Sequence, residues 1–265
     1  MSLFKSDLFR LFKEKSVYIL AAIVALFSLL KCLTINMMIG EDGTYLLGDA
    51  ILQSIGLDIL GTIVAIGISF FNGKEFANKT IRNKICCGES RYKIFIVKLI
   101  INWMLAIALF LISFVTAAIA GGILFENTLG EEFWEKAFCQ LALLIGFSSL
   151  ITCVVNVTKS MKVSLILSVA LFVFLNAFSY MLPQMGDNEL VKIACQSIYM
   201  VVSTMLMSST GGVYEITKRE FVNNEMITTV ITYENMYLNC ILVGALYTVV
   251  ALAVSLAVIR KQDYK

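Results

Sequence analysis

Histidine is absent from all 265 residues, proline occurs once, and charged residues make up only 15% of the chain. Without an imidazole, intramembrane serine proteases that work through histidine and most metal-dependent intramembrane catalysis are excluded. With so few charges, 59% apolar residues and a mean hydropathy of +0.85, a water-soluble globule is excluded as well. A phosphate-binding loop is also missing: the nearest glycine spacing, Gly43 to Gly48, is followed by Asp49 rather than lysine. Glu131, Glu132 and Glu135 have the look of a paired-glutamate protease motif, but the histidines and arginine of such a site are lacking, so they read as an acidic loop. Seven cysteines, odd in number and scattered without metal-ligand spacing, read as small packing residues.

What is present is a series of long apolar runs separated by short charged segments. They predict an all-α polytopic membrane protein, a single domain over residues 1–265, with six transmembrane helices at about 17–39, 51–71, 94–122, 138–157, 163–182 and 236–259. The first run is too long for a signal-peptide core and lacks a cleavage site, so it is expected to stay as a span. Ahead of it, Phe4, Leu8, Leu11 and Phe12 fall on one face of residues 2–15, which predicts an N-terminal interfacial helix. The run from Ile94 to Phe125 exceeds the ~20 residues that cross a bilayer, and Gly121-Gly122 is the expected end of its regular helix. Pro183 is expected to stop the fifth span. Apolar positions from Leu190 to Leu206 form a stripe opposite Lys192, Ser203, Thr204 and Ser208, which predicts an amphipathic outer helix between spans five and six.

The map turns on residues 72–93, NGKEFANKTIRNKICCGESRYK, which hold six of the 21 basic residues against Glu75 and Glu89. Such a cationic island belongs on the cytoplasmic face. With the island inside, 16 basic residues fall in inner segments and four (Lys136, Lys192, Lys218, Arg219) in outer ones, which predicts both termini in the cytoplasm of a plasma membrane. The island itself reads as a helix from Lys74 to about Cys86, closed by Gly88 and followed by Glu89-Ser90-Arg91 as entry to the next span.

Glu75, then Thr80-Ile81-Arg82-Asn83, Gly88, Ser90-Arg91 and Lys98 resemble the E-x-x-x-G-T-I-[RK]-N, G-x-S-R and span-opening lysine of the membrane subunits of type-two ABC exporters. Lys79 stands where that family often has glycine. The likeness in sequence covers about 25 residues, and the six-span layout covers the rest; within the family, the small bacterial permeases of lantibiotic or other peptide export and immunity are the most similar. The resemblance implies a cytoplasmic coupling helix between spans two and three, with Lys74, Glu75, Phe76, Asn78, Lys79, Thr80, Ile81, Arg82, Asn83 and Arg91 contacting a soluble P-loop ATPase. It further implies no catalytic site and no cofactor in this chain, ATP and Mg on the partner, a second permease copy as homodimer or close paralogue, a bacterial cell membrane, and no nucleic acid. An amphiphilic peptide or lipid-like molecule is the implied cargo. The alternative reading is a membrane anchor, immunity factor or sensor that works without an ATPase.

Lys31 and Asp58 are the two ionisable residues deep inside the expected spans. They lie ~21 Å and ~20 Å from the same membrane boundary on consecutive antiparallel helices. A charge at that depth is costly, so three arrangements are open: an intramembrane charge pair, two side chains that reach outer water separately, or a contact to cargo.

Overall fold

The computed structural model describes residues 3–39, 47–125, 129–181, 195–196, 198–222 and 225–261. Helices dominate. In chain order these are α1 (Leu3–Lys13), α2 (Lys15–Ile39), α3 (Leu47–Ile55), α4 (Leu57–Ala77), α5 (Thr80–Cys86), α6 (Arg91–Leu124), α7 (Phe133–Thr158), α8 (Met161–Met181), α9 (Tyr199–Ser208) and α10 (Met236–Lys261). Between α9 and α10 the strands β1 (Tyr214–Val222) and β2 (Glu225–Tyr233) pair antiparallel, Tyr214 opposite Tyr233.

Among the described residues, five segments are long and apolar enough to cross a membrane: α2, α3 with α4, α6, α7 and α10. The chain is therefore a membrane-embedded helical protein. The described apolar part of α8, Met161–Ala177, is shorter. Two-thirds of the apolar window in the α3–α4 segment and in α7 is buried, against 17% in α2 and 22% in α10. So α4 and α7 form the centre, and α2 and α10 turn residues such as Ile19, Leu26, Leu246 and Val249 outward. Exposed aliphatic rows of this kind suit hydrocarbon rather than water.

Because lipid offers helices no hydrophobic gain on association, the bundle relies on close backbone approach and short polar contacts. At the α7–α10 crossing, a Cβ on Gly146 would stand 2.7 Å from the Gly244 carbonyl oxygen, so only glycine permits this spacing. Ser28 and Ser113 hydroxyls join α2 to α6 at 2.6 Å, Ser69 and Ser168 join α4 to α8 at 3.0 Å, and the Asn102 amide donates to Thr152 at 2.8 Å between α6 and α7.

Several boundaries differ from those read in the sequence. The second span is broken: Gly56 takes a left-handed conformation, φ 46°, between α3 and α4. The expected helix from Lys74 to Cys86 is split, because α4 runs on to Ala77 and Lys79, at φ 54°, turns the chain into the short α5. Position 79 thus uses the backbone region that glycine favours. α6 continues through Gly121-Gly122 to Leu124, and α7 begins at Phe133, ahead of the expected 138. Gly88, φ 89°, closes α5, and the Ser90 hydroxyl accepts from the Lys93 N–H to cap α6. The hairpin has no counterpart in the expected all-α map. Pro183, the acidic stretch 40–46 and residues 190–194 of the expected amphipathic helix lie outside the described residues.

Candidate functional site

Two groups of charged residues occupy opposite ends of the bundle, and the first is built on one carboxylate. Glu75 lies in the last turn of α4 and is 1% exposed. Its Oε1 accepts from Arg10 of α1 at 2.5 Å and from Lys84 of α5 at 2.9 Å, and its Oε2 lies 2.6 Å from Lys98 Nζ of α6. Four helices therefore meet on a single side chain. Asp7, the acid on the inward stripe Leu3–Asp7–Leu11 of α1, takes the other side of Lys84 at 2.7 and 2.8 Å. Aromatic faces complete the shell: the Arg10 guanidinium stands 4.9 Å from the Phe71 ring centroid, and the Lys98 ammonium 4.7 Å from that of Phe76. At the rim, Lys74 pairs with Glu14 between α1 and α2, and this contact holds the Glu14 carboxyl below its usual range. A buried network with every charge met is held at high stakes, since losing one partner strands the others.

The residues expected to contact an ATPase divide into two sets around this network. Glu75, Phe76 and Ile81 point inward; Lys74 is committed to Glu14; Thr80 donates to the Glu75 carbonyl at 3.1 Å. Asn78, Lys79, Arg82 and Asn83 face outward, and half-buried Arg91 opens α6. Asp7, Arg10, Lys84 and Lys98 were not foreseen as one unit. The signal for Asp7 was available, as a lone acid on the apolar face of α1.

The second group lies around the break in the second crossing. Lys31 Nζ of α2 donates to Asp58 Oδ1 at 2.9 Å and to Oδ2 at 3.2 Å. The structure thus brings the two together at the point where α3 ends and α4 begins. A Cβ on Gly56 would overlap Lys31 Nζ and stand 2.8 Å from Asp58 Oδ1, so the glycine makes room for both charges. Asp58 sits in the first turn of α4 and Lys31 against the end of α3, where each charge opposes the dipole of the helix end it meets. The backbone groups freed by the break are met in part by the Gly56 carbonyl, which accepts from the Ile59 and Leu60 N–H groups at 3.0 Å.

Unlike Glu75, this pair is open. Asp58 is 48% and Lys31 27% exposed, and they border a cavity of about 330 Å³. Its other polar lining comes from Gln53 of α3, Asn176 of α8, and Ser203, Thr204 and Ser208 of α9, and Leu52, Leu57 and Met207 supply apolar wall. The walls are held in place from α7. The Gln140 amide donates to the Leu52 carbonyl and to Met207 Sδ, both at 3.3 Å, and Lys136 Nζ donates to the Ser209 carbonyl at 2.7 Å. Glu132 accepts from the Gly211 N–H at 2.5 Å and the Tyr237 hydroxyl at 2.8 Å, which ties the chain after α9 to the start of α10. Burial pushes the Glu132 carboxyl up, but Tyr237, Gly211 and Lys136 outweigh it and hold the group below its ordinary value.

No protein-family model matches the chain, and no curated protein is similar enough to count as a match. The case for function therefore rests on the chain's own geometry.

Proposed function

We propose that this chain is the permease subunit of an ATP-driven exporter of the type-two ABC class, seated in a bacterial plasma membrane. It would work as two copies above two soluble P-loop ATPase subunits, which bind ATP and Mg and do the hydrolysis; this chain has no catalytic site of its own. α8 would be the sixth crossing: its 21 residues measure ~32 Å at 1.5 Å per residue, and it packs on α4 through the Ser69–Ser168 contact. Residues 3 and 261 then both face the cytoplasm, with α9 and the hairpin outside.

The observation that carries this reading is the joint at Glu75. An ATPase seated on Asn78, Lys79, Arg82 and Asn83 would press on α5, and α5 grips the end of α4 through Lys84, which shares its carboxylate with Lys98 of α6. A push outside the membrane would move both crossings together. ATP binding by the partner would shift the population between two arrangements of the dimer, and an amphiphilic peptide or lipid-like molecule would pass between the copies.

The test is purification of the full chain from its native membrane. A P-loop subunit should come with it. Arg82→Glu with Asn83→Arg, both on exposed positions, should release that subunit while leaving the melting temperature of the permease unchanged. Purification without any P-loop protein would favour a membrane anchor, immunity factor or sensor instead. Orientation is read separately from Cys86 and Cys87, which are exposed at the end of α5 while the other five cysteines are buried. A membrane-impermeant thiol reagent should miss both in intact cells.

A further inference from the structure

Three features coincide where α2, α3, α4, α8 and α9 come together: a helix broken at membrane depth, an ion pair, and a cavity with polar groups in its walls. Irregular backbone at such depth is tolerated where it is buried in protein or lines a water-filled space, and broken helices of this kind frame ligand sites in membrane proteins. The ion pair would neutralise the break even if it were sealed in like Glu75. It is not sealed, since the outer faces of Asp58 and Lys31 turn to the cavity.

The chemistry of the walls narrows the ligand. Lys31 and Asp58 cancel, and the remaining polar groups, Gln53, Asn176, Ser203, Thr204 and Ser208, are neutral side chains that offer both donors and acceptors. A lone cation or anion entering this site would be attracted by one member of the pair and repelled by the other. A zwitterion would not, because its ammonium falls to Asp58 and its anion to Lys31. The volume, about 330 Å³, lies at the small end of the range for ligand pockets and suits a headgroup rather than a folded peptide. On α2, Phe27 lies exposed one turn before Lys31.

We propose that this cavity binds a zwitterionic headgroup, an ammonium and a phosphate or carboxylate carried close together, supplied either by a membrane lipid or by a soluble molecule. The site is complete within one copy of the chain and needs no ATPase, so it stands or falls separately from the exporter reading.

The full chain, purified in detergent, is melted in the presence of three single-chain amphiphiles of equal length: lysophosphatidylethanolamine, lysophosphatidylglycerol and an alkylammonium. Glycerophosphoethanolamine supplies the same zwitterion without a chain. Only the zwitterions should raise the melting temperature, and saturably, as binding to the folded state requires. If glycerophosphoethanolamine acts as well as the lysolipid, the headgroup suffices and a soluble source fits; if the lysolipid alone acts, the source is lipid. Thr204→Leu, which fills the cavity from α9 without touching the ion pair, should abolish the shift and keep the ligand-free melting temperature; Ser208→Leu serves the same purpose should Thr204→Leu misfold. Equal shifts from all three amphiphiles, no shift from either zwitterion, or a shift that survives in the folded cavity-filling variant would overturn the proposal.

Discussion

Glu75 and Asp58 are both carboxylates of α4 that accept from lysine, yet they lie at its two ends in opposite surroundings. Glu75 is 1% exposed and holds three cations from three other helices; Asp58 is 48% exposed and holds one. In the first case the charges have become part of the frame: with three cations around one buried carboxylate, they fix how α1, α5 and α6 meet α4. In the second case the same pairing leaves surface over, next to a break in the backbone and an open cavity. Exposure and number of partners, not the chemistry of the pair, separate a joint from a site.

The difference should be largest in stability. Glu75→Gln leaves Arg10, Lys84 and Lys98 facing one another without a carboxylate at the centre, and should cost about 3–5 kcal/mol, the range for stranding buried charge. Denaturant or thermal unfolding in detergent would read this as a large drop, and as loss of folded protein at expression. A Glu75→Gln variant no less stable than Asp58→Asn would remove the distinction between the two ends.

Next in size is Gly56→Ala. A side chain in the left-handed region costs roughly 1–2 kcal/mol, and here the added methyl also collides with Lys31 Nζ. Gly88→Ala provides the control, since it carries a similar backbone penalty at φ 89° but meets nothing within 4 Å. Unfolding measurements should show Gly56→Ala as the more damaging of the two, and the gap between them reports the crowding around the ion pair.

For the open pair, Lys31→Ala and Asp58→Ala should each destabilise more than the double variant, which leaves no lone charge behind. Half-exposed pairs are worth about 0.2–1 kcal/mol, so the coupling from a double-mutant cycle should be near the top of that range and well below the effect at Glu75. Strict additivity would mean that the two side chains are neighbours without being partners.

The smallest effect concerns acid. Glu132, at the start of α7, has its carboxyl held below the ordinary value in the folded protein. Its contribution to stability is therefore complete above the unfolded carboxylate value and is lost as pH falls through the lowered folded value. The melting temperature of Glu132→Gln should lie below that of the unaltered protein at neutral pH, and the two should converge as the pH is taken well below 4.5. A gap that persists undiminished into acid would mean the carboxylate charge contributes nothing to the tie between Gly211, Tyr237 and α7.

Much of the layout could be read along the chain because hydrocarbon length and charge placement are properties of short windows. The crossings at α2, α6, α7 and α10, the entry to α6 at Ser90 and the stop at Gly88 all follow from local pattern. The second strand was legible, since Glu225–Tyr233 is rich in Ile, Thr and Val after Asn223-Asn224; its partner, with Lys218, Arg219 and Glu220 in the middle, carries a much weaker strand pattern. The break at Gly56 was less visible, because one glycine in an apolar run is tolerated in many helices and only its neighbours decide its conformation. Helix 74–86 was split for a similar reason: nothing local announces that Lys79 will adopt φ 54°.

From its residues alone, this chain is committed to the membrane, and the pairing of Lys31 with Asp58 was one of three arrangements open to it, since depth along two antiparallel helices is arithmetic on residue number. Which carboxylate would be buried and which left accessible was not in the residues one by one. That outcome depended on α1 folding back to bring Asp7 and Arg10 to α4, on α6 bringing Lys98, and on α8 and α9 standing far enough from Gly56 to leave a cavity. Local windows govern how a segment meets water or lipid, but the field at one carboxylate is the sum over helices that lie as many as 105 residues apart in sequence and a few ångströms apart in space.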